Sequence, residues 1–319
     1  MLRYTVIRIL LLIPILLCVT FIVYALMDLA PGNIVDTMIS EEMTQEDIDK
    51  LYQKFDLDKP MVVRYFKYLG GLLHGDIGNS MVTGQSVFQL FISRFPNTFK
   101  MAIAGIIVAT LIAIPIGLFN AKHAGTIADN VTTAIALVFM SMPGFWLGLM
   151  LLIFFSNKLK IFPAAYDGTW KCYVLPVLAS GVSMSATTIR QTRSAVLEVS
   201  RQDFLRTARA KGVSERTVMW KHELGNALIP IITQIGGMIA ISLAGSAVIE
   251  AVYSWPGVGY MMVEAITRRD STLACGCVVL TSTMFSVVLL LVDLVYALVD
   301  PRIRAAYAAH KKKKKAVKA

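Results

Sequence analysis

The residue types that could do chemistry in this chain are spaced for contact and not for catalysis. Its four histidines, His74, His123, His222 and His310, are scattered along 319 residues and form no metal-ligand group. Its four cysteines, Cys18, Cys172, Cys275 and Cys277, lack the CxxC pairing of zinc or redox sites, and packing is their expected role. There is no GxxxxGK[ST] phosphate loop, no GxSxG elbow and no HExxH. The reading is therefore no enzyme, no catalytic residue, no metal and no cofactor. Any work the chain does must draw energy from a partner.

The chemistry it does offer is docking. Residues 200–230 are polar and basic, held between two long apolar runs. They predict two short helices broken at Lys211-Gly212, with Ser214 capping the second and Glu215 in its first turn. Gly212 is expected to end the first helix with positive φ. On the second helix Val213, Thr217, Trp220 and Leu224 recur at helical spacing and give one mostly apolar stripe on a charged rod. A charged hairpin with an apolar edge suits binding to another protein.

The elements that position it are membrane spans. Six runs carry no Asp, Glu, Lys or Arg: 9–27, 101–121, 130–157, 172–189, 224–249 and 271–292. A crossing needs about 20 largely apolar residues, so six transmembrane helices are expected in an all-α integral membrane chain. The mean hydropathy of +0.63 agrees. The fourth run, with Ser180, Ser183, Ser185, Thr187 and Thr188, is the least apolar and should face other helices, not lipid. Pro143-Gly144 reads as a packed kink in the third, and Gly236-Gly237 as a close helix approach in the fifth.

Basic residues set the orientation. With the N-terminus cytoplasmic, the inner segments hold Arg3, Arg8, Lys122, the eight Lys/Arg from Arg190 to Lys221, and eight more from Arg302 onward. The short outer loops hold only Lys158, Lys160, Lys171, Arg268 and Arg269. Both termini are thus expected in the cytoplasm of a multi-pass protein. The net charge of +10 is met by membrane lipid, including at Lys311–Lys315, and calls for no nucleic acid.

Between the first two spans, residues 31–97 predict a small helical extracytoplasmic segment. Thr44 should cap a helix with Ile48, Leu51, Tyr52 and Phe55 on one face. Met61 to Leu73 repeats the pattern with Val62, Tyr65, Phe66, Leu69 and Leu73. These helices are expected to lie over the outer mouth of the bundle.

Ordered motifs then carry a resemblance. They are Leu29-Ala30-Pro31-Gly32, Phe55-Asp56-Leu57-Asp58-Lys59-Pro60, Gly75-Asp76-Ile77-Gly78-Asn79-Ser80 and Arg94-Phe95-Pro96-Asn97-Thr98. After them come Ser141-Met142-Pro143-Gly144-Phe145-Trp146, Arg206-Thr207-Ala208-Arg209-Ala210-Lys211-Gly212, Ser254-Trp255-Pro256-Gly257-Val258-Gly259 and Asp300-Pro301-Arg302-Ile303-Arg304. Over nearly its whole length the chain resembles the first permease subunit of bacterial peptide/nickel-type ABC importers. The 200–230 stretch is similar to their cytoplasmic EAA loop, with Arg206-Thr207-Ala208 where the general pattern has Glu-Ala-Ala and the glycine kept at Gly212.

The resemblance implies the type I ABC importer permease fold in a bacterial inner membrane. It also implies a second, homologous permease, two ABC ATPase subunits docked on the loops, and an extracytoplasmic solute-binding protein. The coupling loop would be carried by Arg206, Thr207, Ala208, Gly212, Val213, Thr217, Trp220 and Leu224. The translocation path would involve Gln234, Gly237 and Ser242 of the fifth span. The outer gate or docking site would involve Glu250, near water beside that span, and the Trp255-Pro256-Gly257 turn, with Trp255 as an interface anchor. The expected organisation is a first span in 1–30, the outer segment 31–97, a core of 98–300 with its loop at 190–230, and a basic tail at 301–319.

Peptide, nickel, glutathione and other small-solute importers share this architecture; the absence of histidine from the spans tilts toward peptides. A secondary transporter and a non-transporting membrane scaffold are the readings of other classes. The former would show ionisable residues at mid-membrane, which none of the six runs contains.

Overall fold

The computed structural model describes residues 2–39 and 43–299. The basic tail, Lys311–Lys315 and the Asp300–Arg304 motif lie outside the described residues. Among the described residues the regular structure is helical, with no named strand. Three helices are each long and apolar enough to cross a membrane: within Val87–Lys122, Trp170–Ser200 and Ser271–Val292. Two bent pairs, Ile127–Ser141 with Gly144–Lys158 and Glu215–Leu228 with Pro230–Leu243, are each long and apolar enough for a crossing when taken as one span. The first apolar run lies in α1 (Leu2–Leu29).

The chain divides into two compact units. The first joins residues 1–100 to 243–286. It holds α1, the outer helices α2 (Gln45–Lys54) and α3 (Met61–Leu73), and the start of α4 (Val87–Lys122). Its later elements are α11 (Ala247–Val252), α12 (Val258–Thr267) and the beginning of α13 (Ser271–Val299). Thr44 caps α2 as expected, in a reciprocal box with Asp47. The core forms where Val87 and Phe91 of α4 meet Val258, Met261 and Ala265 of α12 and Leu273, Ala274 and Cys277 of α13. Asp270, buried before α13, accepts from Ser80 Oγ at 2.6 Å and from the Leu273 N–H at 2.9 Å. It therefore caps a span and anchors the preceding loop at once.

The second unit comprises 101–242 and 287–319. It contains the rest of α4, α5 (Ile127–Ser141), α6 (Gly144–Leu151, continuing as a π turn to Lys158), α7 (Val174–Ser200) and α8 (Asp203–Ala210). There follow α9 (Glu215–Thr217), a π turn Val218–Glu223 and α10 (Leu224–Gly245). As expected for the least apolar run, the helix containing α7 is the most enclosed of the three unbroken spans, 56% buried against 17% for that in α13. Its hydroxyls, however, turn back on their own helix. Ser180, Ser185 and Thr188 donate to the carbonyls of Pro176, Val182 and Met184 at 2.9, 2.7 and 3.2 Å. This satisfies Ser180 and Ser185 within their own helix, whereas Thr188 also reaches Met238 Sδ of α10 at 3.3 Å.

The third run departs from a kinked helix. Its two pieces meet at 96°, so Met142-Pro143 is a break between α5 and α6. Met142 is extended (ψ 127°) because the residue before a proline is crowded out of the helical region. Pro143 is then the N-cap of α6, outside the helical ladder, so its missing N–H costs nothing.

Candidate functional site

The hairpin forms by local rules. Gly212 has φ +76° and ends α8, a conformation that a side chain would strain. Ser214 is extended and its hydroxyl accepts from the Thr217 N–H. Across the turn, Arg209 of α8 grips two carboxylates. Its Nε reaches Glu215 Oε1 at 2.8 Å, and its Nη2 reaches Glu223 Oε1 at 3.2 Å. The hydrogen bond to Glu215, assisted by that charge, raises the guanidinium's pKa further. Leu205 and Val218, both 0% exposed, root the two arms. The hairpin is thus clamped and rooted, and its outer surface is free.

That surface differs in one respect from the sequence expectation. Arg206, Thr207, Gly212, Thr217 and Trp220 are exposed, and Ala208 and Val213 are half-buried. Leu224 is not on the exposed stripe. It is 8% exposed and packs with Leu118, Ala121, Val196 and Ile231. The π turn at 218–223 adds residues per turn and rotates Leu224 inward from where 3.6-residue spacing would put it. The exposed apolar pair is instead Trp220, at 47%, and Phe204, at 43%. Phe204 escaped the sequence reading because it lies on the other helix, off the stripe.

In α10 the two glycines part company. A Cβ on Gly236 would collide with Val292, so this residue is a packing contact. A Cβ on Gly237 meets nothing within 4 Å. Gln234 and Ser242 are half-exposed and Ile241 is 66% exposed. The Gln234–Gly237–Ile241 face is open within this chain.

The Glu250 group is buried, contrary to its expected place near water. Glu250 and Trp255 are both 0% exposed, Gly257 is buried and Pro256 half-buried. Glu250 Oε1 accepts from Thr98 and Ser246 hydroxyls, each at 2.8 Å, and Oε2 from the Tyr260 N–H at 2.9 Å. Asn97 donates to the Pro256 carbonyl at 3.0 Å and accepts from Trp255 Nε1 at 3.2 Å. Gly257 is required here, since a Cβ would overlap the Glu250 carboxylate. The indole serves as an internal strut and not as an interface anchor.

One pair was missed entirely. Arg193, on the charged extension of α7, binds Asp129 of α5 through two parallel bonds of 2.8 and 2.7 Å. Asp129 is 1% exposed. A bidentate fork of this kind fixes angle as well as distance. Nothing in the sequence spacing pairs position 129 with position 193.

Comparison with known proteins follows this geometry. Residues 113–305 match the binding-protein-dependent transport system inner membrane component family, and residues 1–102 match its N-terminal component. The chain is 36% identical over 314 residues to the oligopeptide transport system permease protein AppB of Bacillus subtilis (strain 168), covering 95% of this chain and 99% of that one. It is 35% identical over 336 residues to the dipeptide transport system permease protein DppB of Escherichia coli (strain K12), with the same coverage. It is 36% identical over 304 residues to the glutathione transport system permease protein GsiC of Pectobacterium atrosepticum, again with 95% and 99% covered. Among solved structures, an inward-facing MetNI methionine ABC transporter aligns with TM-score 0.57 at 18% identity, over 66% of this chain and 97% of that chain. This likeness gives the fold, the type I importer permease fold. The relatives are transport subunits and not enzymes, and the family works with ATPase and substrate-binding partners. The chain therefore belongs to the inner membrane components of binding-protein-dependent transport systems, and is a multi-pass permease subunit of an ABC importer.

Proposed function

We propose that this permease imports peptides, with the hairpin at 203–223 as the seat of one ATPase subunit. The rigid hairpin presenting Trp220 and Phe204 beside Arg206 carries the reading. Two exposed aromatics on a clamped scaffold are the anchor type that dominates protein interfaces. The cargo rests on the relatives, two of which are peptide permeases; the third carries glutathione, itself a small peptide.

The open Gln234–Gly237–Ile241 face of α10 supports an assembly of two permeases. A second, homologous permease would lie against it, with Gln234, Gly237 and Ser242 along the path between them. A weakly polar wall lets a peptide backbone leave water without holding it fast. Two ATPases would bind the two hairpins, and a solute-binding protein would deliver cargo from outside. Both termini would lie in the cytoplasm, a placement that the distribution of basic residues supports. Closure of the ATPases on ATP would draw the hairpins together and switch the bundle from inward-open to outward-open. Near-complete reversal of the populations needs a differential affinity of roughly 5 kcal/mol.

The test is uptake of a labelled dipeptide, with glutathione as competitor, in cells carrying the native operon or Trp220→Asp. Dipeptide uptake that needs intact Trp220 supports the reading. Exclusive glutathione uptake reassigns the cargo, and Trp220-independent uptake removes the hairpin from the ATPase contact.

A further inference from the structure

The outer helix α3 is not built like a helix solvated on one side. Three stripes run along it. Met61, Tyr65, Tyr68 and Leu69 pack inward on Tyr24 of α1 and Cys275 of α13. Arg64 and Lys67 form a narrow polar stripe that pairs with Asp28 and Asp56 and lines a cleft of about 500 Å³. The third stripe is apolar and unpaired: Val62 is 51% exposed, Val63 50%, Phe66 65% and Leu73 87%. A water-facing surface should be polar, and a helix apolar on two sides belongs in an apolar medium.

Two independent markers place α3 at that depth. On α1, Tyr65 packs edge-on against Phe21 at 5.2 Å, and its hydroxyl donates to the Leu17 carbonyl at 2.8 Å. Phe21 lies seven residues before Asp28, the first charge after the apolar run. At 1.5 Å per residue it sits about 10 Å below that charge. On α13, the same cluster includes Cys275, five residues past Asp270 and so about 7 Å inside the last apolar run. Beside α3, α1 shows the same outward apolar surface, with Phe21 43%, Ile22 54% and Leu26 62% exposed. The two surfaces occupy one level.

We propose that α3 is a membrane-seated helix, with Val62, Val63, Phe66 and Leu73 covered by acyl chains of one leaflet while Arg64 and Lys67 turn to the cleft. Its depth matches interfacial helices, whose apolar faces sink about 5–10 Å. The outer segment is then partly a bilayer element and only α2 and the adjoining loops stand clear of it. Only the identity of the leaflet, the outer one, rests on the orientation proposed above.

Spin-label accessibility tests this in the full transporter reconstituted in lipid nanodiscs. Labels are placed at Phe66→Cys and separately at Val62→Cys, with the exposed Cys18 changed to Ala. Ile22→Cys serves as lipid reference and Glu46→Cys as water reference. Both test sites should favour oxygen over a water-soluble nickel chelate, giving a positive depth parameter like position 22. Preferential access of the nickel chelate, as at position 46, overturns the proposal. So does exclusion of both reagents, which would mean that a protein partner covers the stripe. Transport is not the readout, so failure here leaves the importer reading standing.

Discussion

The Thr98 hydroxyl donates to Glu250 Oε1 at 2.8 Å while accepting from the Val258 N–H at 2.9 Å. One small side chain on α4 thereby fastens both sides of the Trp255-Pro256-Gly257 turn. A buried carboxylate that accepts three hydrogen bonds organises a loop, and its loss leaves each donor without a partner.

Glu250→Ala should cost at least about 3 kcal/mol, from stranding two hydroxyls and an N–H at about 1–3 kcal/mol each. Thr98→Val, which removes fewer bonds, should cost about half as much. Melting of the detergent-purified complex should rank the two in that order. Equal melting temperatures for Glu250→Ala and the parent would show that the network contributes nothing.

Trp220→Asp should leave protein level unchanged, because the side chain is exposed, and should lower recovery of the ATPase. Leu224→Asp puts a charge into a packed cluster and should lower the amount of permease itself. Quantifying permease and ATPase in the same purification separates the two effects.

The Arg209 clamp predicts an asymmetric pair of double-mutant cycles. The Glu215 partner is exposed, so its coupling to Arg209 should be about 0.2–1 kcal/mol. Glu223, with a side chain only 11% exposed, should couple more strongly. Larger coupling at Glu215 than at Glu223 would contradict the assigned geometry.

Bulky replacements in α10 should divide by position. Gly236→Val, aimed at Val292, should reduce accumulation of the permease. Gly237→Trp, aimed at open space, should spare accumulation and abolish uptake. If the two variants accumulate alike, the distinction between a packed and an open glycine fails.

Thiol labelling checks the orientation. Glu46→Cys should react with an impermeant reagent in intact cells, and Ser214→Cys only after the cells are opened. Both positions are exposed, so silence at Ser214 reports sidedness and not burial.

What was readable in advance divides along physical lines. The caps at Thr44 and Ser214 and the turn at Gly212 depend on neighbouring residues alone, so type and spacing were enough. The apolar helices followed from runs without charge. Pro143 was legible as a disruption, but its 96° outcome depends on what the two pieces pack against. Leu224 was misplaced because a π turn breaks the assumed period, and no single residue between 218 and 223 announces one. The Glu250 network joins residues 152 positions apart, and a single sequence offers no sign of which distant hydroxyl a carboxylate will meet. The inward and outward faces of α3 were blurred for a similar reason: both are apolar, and only packing tells Tyr65 from Phe66.

From Ser214 the second arm of the hairpin runs without a gap through α9, the π turn and into α10. The loop helix and the fifth span are therefore continuous, with the clamped turn at Gly212 at one end and the bend at Pro230 further on. At Pro230 the helix axis turns by 53°, so a displacement along the first segment would emerge as a swing of the next. The stretch that would swing is the one bearing Gln234, Gly237 and Ser242.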